Sequence, residues 1–170
     1  MTLPTTASVT ITVNGPPEQV HDLVAEITRM SEWSPECTGC EWLTEPNQIG
    51  STFRSRNRRG IVRWSTIARL LVVERPSHFA FATLHRETIA TRWTYDLTGT
   101  GTDTTTLTET FTSITTPVLI GLAERWIIRD RQAQLESGMT HTLTQIKTAA
   151  ETASTPYARA LAERQESSHP

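Results

Sequence analysis

The 170-residue chain reads as one α+β domain, an antiparallel meander followed by a long C-terminal helix, and three observations predict it. Short segments alternate apolar and polar residues with the period of a half-buried strand. Gly60, Pro76, Gly99 and Gly101 punctuate those segments closely enough to force tight antiparallel connections. After Pro117 the apolar period changes from two residues to that of a helix. The length suits a single core large enough to enclose a cavity.

Val9-Thr10-Ile11-Thr12-Val13 opens the domain as a strand, and Asn14-Gly15-Pro16-Pro17 ends it with turn chemistry. From Pro17, the residues Val20, Leu23, Val24 and Ile27 recur at helical spacing, with Glu18 near the positive end of the dipole. This helix is expected to end near Met30. Ser34-Pro35-Glu36 has the cap and first-turn residues of a second short helix, before Cys40-Glu41-Trp42-Leu43 begins another strand. Strands are expected at about 51–58, 61–74, 78–84, 89–98 and 104–114. Ile128, Gln132, Leu135, Met139, Thr142, Ile146 and Ala149 form the stripe of the long helix, led by an apolar segment over 118–128. The expected domain is 1–152, with 153–170 a flexible C-terminal tail of small and polar residues.

With 16 basic and 18 acidic residues the net charge is -2, which lacks the strong positive field of a general nucleic-acid binder. No apolar run reaches the roughly 18 to 20 residues that span a bilayer, and the first residues lack a signal-peptide pattern, so a soluble cytoplasmic protein is expected. Two cysteines are too few for a disulfide scaffold.

Several segments resemble the actinobacterial polyketide cyclase and dehydratase family of the START-like (SRPBCC) superfamily. They are Ser31-Glu32-Trp33-Ser34-Pro35-Glu36-Cys37, Gly50-Ser51-Thr52-Phe53-Arg54-Ser55-Arg56-Asn57, Glu74-Arg75-Pro76-Ser77-His78-Phe79-Ala80-Phe81, Arg92-Trp93-Thr94-Tyr95 and Thr106-Leu107-Thr108-Glu109-Thr110-Phe111. The resemblance covers about residues 8 to 150. It implies a helix-grip fold, a curved antiparallel sheet wrapped around the C-terminal helix with an internal cavity for a greasy molecule. It implies no universal catalytic triad, and the apolar stretch from Val118 to Ile128 departs from the pattern.

Alternation sorts the strands into faces. Phe53, Ser55 and Asn57 share one face; so do Trp64, Thr66 and Ala68; Phe79, Phe81 and Thr83; Trp93, Tyr95 and Leu97; and Leu107, Glu109 and Phe111. Glu109 is the single catalytic candidate, because a carboxyl facing apolar surroundings has its pKa raised and can exchange protons near neutrality. The competing reading is a structural carboxylate bonded to Asn57, an arginine or a buried water. Trp33, Phe53, Asn57, Trp64, Phe79, Phe81, Trp93, Tyr95 and Phe111, with Leu135 and Met139 from the helix, are the candidate ligand-binding residues. Each ring also fits plain core packing, although Trp33 is expected in a loop at the mouth.

Cys37-Thr38-Gly39-Cys40 has the spacing of redox and metal motifs, but no second ligand pair accompanies it, and the bland reading is two ordinary thiols. The five histidines are scattered, and neither a metal site nor a cofactor is expected. Arg54, Arg56, Arg58, Arg59 and Arg63 either contact an acidic partner or form a solvated edge. The function expected is binding of a hydrophobic or aromatic, polyketide-like small molecule, with promotion of its cyclisation or aromatisation left open. The alternatives are a sequestering protein for natural-product self-resistance, as some START-like proteins serve against enediynes, and a regulatory protein-interaction module. Candidate macromolecular partners are an acyl-carrier protein and a second copy of the chain in a homodimer.

Overall fold

The computed structural model describes residues 6–101, 103–114 and 133–153. The strands are β1 (Thr6–Val13), β2 (Cys37–Trp42), β3 (Thr52–Arg59), β4 (Val62–Glu74), β5 (His78–His85), β6 (Thr88–Gly101) and β7 (Thr104–Ser113). They form one antiparallel sheet in the order β1-β7-β6-β5-β4-β3-β2. From β2 to β7 the chain is a plain meander, as tight turns require. The chain crosses between the two sheet edges, from β1 to β2, by way of α1 (Pro17–Ala25), a 3-10 turn at Ile27–Arg29 and α2 (Met30–Trp33).

The first helix therefore ends earlier than its apolar spacing suggests. Glu26, at φ -78° and ψ 80°, leaves helical geometry and closes α1, and the remaining apolar residues Ile27 and Met30 enter new turns. The second helix also starts before Ser34 rather than after it: Ser34 is extended and terminates α2, and β2 begins at Cys37. Gly99 sets how closely α1 meets the sheet, because a Cβ there would lie 3.2 Å from Pro17 Cγ.

Residues 133–153 form the C-terminal helix, α3. Its buried stripe is Met139, Thr142, Leu143, Ile146 and Ala150, so Leu143 and Ala150, rather than Ala149, complete the apolar face. Leu143, Ile146 and Ala150 pack in one core with Phe53, Leu70, Phe79, Phe81, Tyr95, Leu97 and Leu107 from the sheet. Polar contacts fix the end of the helix: Glu151 Oε1 accepts from Asn14 N at 2.9 Å, Lys147 Nζ donates to Thr12 O at 2.7 Å, and Gln19 Nε2 donates to Ala150 O at 3.0 Å. The segment 118–128, Ile128 and Gln132 lie outside the described residues, as does the tail beyond 153; residue 153 itself continues the helix.

His21 lies on the buried side of α1 with its ring edge-on to Phe79, centroids 6.2 Å apart. Neither ring nitrogen has a hydrogen-bond partner of good geometry among the described residues, and the Asp22 carboxylate, 3.8 Å from Nδ1, is instead held by Arg75 at 2.7 Å. Burial holds the His21 pKa below its ordinary 6.5, so the ring is neutral in the fold.

Two predictions follow from this packing. Leu143→Ala removes the centre of the helix-sheet contact and lowers unfolding free energy by about 2 to 5 kcal/mol in denaturant titration. For His21 the unfolded chain binds a proton that the native state resists, so the stabilising contribution present above pH 6.5 is lost as pH falls below it. Thermal melts at pH 7.5 and 5.5 should show the wild type losing more stability than His21→Leu over that interval.

Candidate functional site

The inner face of the sheet carries a row of rings that crosses it from β2 to β7. Trp42 meets Phe53 at a centroid distance of 5.7 Å, Phe53 meets Phe81 at 5.4 Å, Phe81 lies over Trp93 at 6.4 Å, and Trp93 meets Phe111 edge-on at 4.9 Å. Phe53 and Phe81 stand on strands separated by β4, nearly 10 Å apart at the usual strand spacing. They touch because the residue opposite Phe53 on β4 is Ala68, too small to stand between them. A second line of rings runs from Phe79 to Tyr95 at 6.4 Å.

Glu109 sits beside this row on β7. It is directly opposite Tyr95 on β6 and Val9 on β1, and its side chain is 2% exposed. Tyr95 Oη donates to Glu109 Oε1 at 2.7 Å, whereas Oε2 is buried with no partner among the described residues. Desolvation raises the carboxyl pKa to about 8, the Tyr95 bond only partly opposing it. The same burial, with Glu109 alongside, drives the Tyr95 phenol well above its ordinary value of 10. At neutral pH the pair is therefore two uncharged O–H groups sharing one bond. One acidic hydrogen, on a carboxyl among rings, has no acceptor among the described residues.

The alternation of each strand brings Phe53, Asn57, Phe79, Phe81, Trp93, Tyr95, Glu109 and Phe111 onto this one face. Asn57 does not meet Glu109, from which three strands separate it. Its Oδ1 accepts from Ser55 Oγ at 3.0 Å instead. Trp64, opposite Asn57, shares the face but is 37% exposed, because it stands near the turn of the β3–β4 hairpin. Trp33 is not in a loop: it ends α2, is buried in the core and carries the Arg29 guanidinium 5.1 Å from its ring centroid. Met139 is buried on α3 and Leu135 half-buried one turn earlier.

On the outer face, Arg54 and Arg56 both reach Glu41, at 3.0 and 2.8 Å, which neutralises part of the arginine run. No group of three or more His, Cys, Asp or Glu side chains among the described residues is arranged to hold a metal ion. No described helix is long and apolar enough to cross a membrane. Sequence reasoning missed His21, which the Val20–Val24 stripe flags by its spacing, and the proximity of Cys37 to Cys40, whose sulfurs are 3.5 Å apart.

The fold recurs in solved structures. A polyketide_cyc-like protein from Corynebacterium glutamicum, Cgl2372, superposes with a TM-score of 0.63 at 28% identity, covering 87% of this chain and 92% of that one. The Zhui aromatase/cyclase from Streptomyces sp. R1128 gives 0.70 at 17% identity, covering 86% and 93%. A START superfamily protein from Mycobacterium smegmatis gives 0.69 at 14% identity, covering 87% and 98%. No curated protein matches the chain. The curved seven-stranded sheet with its C-terminal helix is the START-like helix-grip arrangement, and residues 4–149 match the family described as polyketide cyclase / dehydrase and lipid transport, to which this chain belongs.

Proposed function

We propose that the protein binds a hydrophobic, aromatic small molecule of polyketide type against the ring row, with the Glu109–Tyr95 pair as its polar anchor. The observation that carries this reading is the buried Oε2 of Glu109, which has no partner among the described residues. A structural carboxyl is normally bonded through both oxygens, since an unsatisfied buried polar atom costs about 1 to 3 kcal/mol. A ligand carbonyl or phenol oxygen accepting from the neutral carboxyl removes that cost, while its rings stack on Phe81, Trp93 and Phe111. Membership of a polyketide cyclase / dehydrase and lipid transport family, and the likeness to an aromatase/cyclase, support the ligand class. Solubility in the cytoplasm accords with this reading, and an acyl-carrier protein delivering the molecule would meet the outer arginines.

The same carboxyl suits proton transfer. A group with a pKa of about 8 is mostly protonated at neutral pH yet gives up its proton readily, the property a general acid needs for cyclisation or dehydration. Tyr95, hydrogen-bonded to Oε1, orients the carboxyl and is the positioning residue.

Three measurements test this reading. Native mass spectrometry of freshly purified protein should find a co-purifying apolar molecule, and titration with flat aromatic compounds should change tryptophan emission and raise the melting temperature. A broad panel of such compounds that moves neither quantity overturns the binding reading. In Glu109→Gln, which keeps the shape and removes the acid, turnover of a cyclisable substrate should fall about 100-fold with affinity little changed. Unaltered turnover reduces Glu109 to an anchor.

The pH dependence of stability tests the protonation state directly. The native carboxyl holds its proton up to about pH 8, the unfolded one only to about 4.5. The native state therefore binds more protons in that window, and its advantage, complete below pH 4.5, is lost as pH rises through 8. Between pH 7 and 9, chemical denaturation should show the wild type losing on the order of 1 kcal/mol or more, and Glu109→Gln losing less.

A further inference from the structure

Cys37 and Cys40 take no part in the ligand site proposed above, and their arrangement has a distinct cause. On a regular strand, residues three apart face opposite sides of the sheet. β2 is irregular: Cys37 pairs with Asn57 and Gly39 with Arg56, so two steps along β2 match one along β3. The extra residue, Thr38, faces solvent and its Oγ1 donates to Arg56 O at 3.1 Å. The bulge resets the alternation, and Cys37 and Cys40 come to lie opposite Asn57 and Ser55, both on the inner face. Their free thiols are 3.5 Å apart. Ser55 Oγ lies 3.6 Å from the Cys37 sulfur as a donor, and the Met30 thioether of α2 lies 3.9 Å from Cys40.

We propose that Cys37 and Cys40 form a redox-sensitive modification site, a dithiol that a hydroperoxide converts into an intrastrand disulfide. The Cys40 thiol and, beyond it, the Ser55 hydroxyl stabilise the Cys37 sulfur as a thiolate and hold its pKa at about 6, while the same contact pushes Cys40 up. Cys37 is thereby the attacking sulfur and Cys40 the resolving one. The Cys37 thiolate attacks the peroxide O–O bond, takes one oxygen as a sulfenic acid, and the other leaves as water or alcohol after gaining a proton. Cys40 then loses its proton, attacks the Cys37 sulfur and displaces hydroxide, which leaves as water. Overall the two thiols give up two electrons and two protons, and the peroxide is reduced to two waters, or to water and an alcohol.

Local geometry permits the closure. The sulfurs must approach to about 2.05 Å, and β2 is an edge strand already bulged between the two cysteines, so the movement disturbs only one ladder. Oxidation removes the thiolate that Ser55 faces and leaves its hydroxyl to Asn57 Oδ1, 3.0 Å away. The disulfide thus reports on the inner face at its β2–β3 end, although the inference stands without any ligand.

The test is peroxide titration of the reduced full-length protein, followed by alkylation in denaturant and peptide mass spectrometry. Both thiols should disappear together, with loss of two hydrogen atoms from an internally linked peptide, and a dithiol reductant should restore them. With dimedone present, Cys40→Ser should accumulate an adduct on Cys37, whereas in Cys37→Ser the rate at Cys40 should fall by roughly tenfold or more. Ser55→Ala should slow oxidation of an otherwise intact protein. Thiols that remain independently alkylatable after excess peroxide, cross-linked dimers in place of the internal link, or a dimedone adduct that forms on Cys40 of Cys37→Ser as fast as on Cys37 of Cys40→Ser would overturn the proposal. The three sulfurs of Cys37, Cys40 and Met30 are also a donor set that suits Cu(I). Stoichiometric capture of Cu(I) by thiols that resist peroxide makes this a soft-metal site and likewise overturns the redox assignment.

Discussion

Docking α3 onto one side of the seven-stranded sheet is the constraint on which the inner face depends. Leu143, Ile146 and Ala150 bring the helix into the same core as Phe79, Tyr95 and Leu107, and that contact excludes water from one side of every central strand. Dehydration then sets the chemistry. Glu109 occurs at an inward position of β7, and burial makes its neutral form the stable one. On the outer face of the same strand the polar side chains stay wet, Thr10 and Thr108 bonding each other across β1 and β7 at 2.9 Å. The difference between the two sides is a single residue of register.

The fold was largely legible because alternation is a strong local signal. The sequence places a turn at Gly99 and Gly101, and counting back from there sets Leu97 opposite Asp103; in the structure both glycines lie inside β6, either side of a register shift, and Leu97 pairs with Leu107 and Tyr95 with Glu109. Alternation thus put Tyr95 and Glu109 on one face, but their direct pairing depends on an irregularity that the sequence does not show. What alternation does not contain is the distance between strands that are not neighbours. Asn57 and Glu109 share a face with three strands between them, so the contact that a structural reading offered as one alternative does not form.

Irregular backbone was less legible, for a physical reason. A bulge shifts every later residue to the other face, yet it leaves little mark on composition. Gly39 is its one hint, and it is what turns two thiols that regular alternation sends apart into neighbours. The break at Glu26 is similar. The apolar spacing from Val20 to Ile27 continues through it, so periodicity alone extends α1 beyond its actual end.

The buried polar atoms separate the two roles the inner face has to fill. His21 and Glu109 are both almost wholly enclosed and both leave atoms unpaired, but their settings differ. His21 is packed edge-on against Phe79 under α1, where a neutral ring behaves as a flat apolar group and its nitrogens are a tolerated cost. Glu109 is tied at one oxygen by Tyr95, which fixes the carboxyl in place while leaving the other oxygen without a partner among the described residues. A carboxyl serving only to join β6 to β7 gains nothing from that second oxygen, since the flanking main-chain ladder already joins them. Holding an acidic hydrogen beside a row of rings is useful when a third body supplies the acceptor, and this asymmetry favours a ligand over a structural reading of the site.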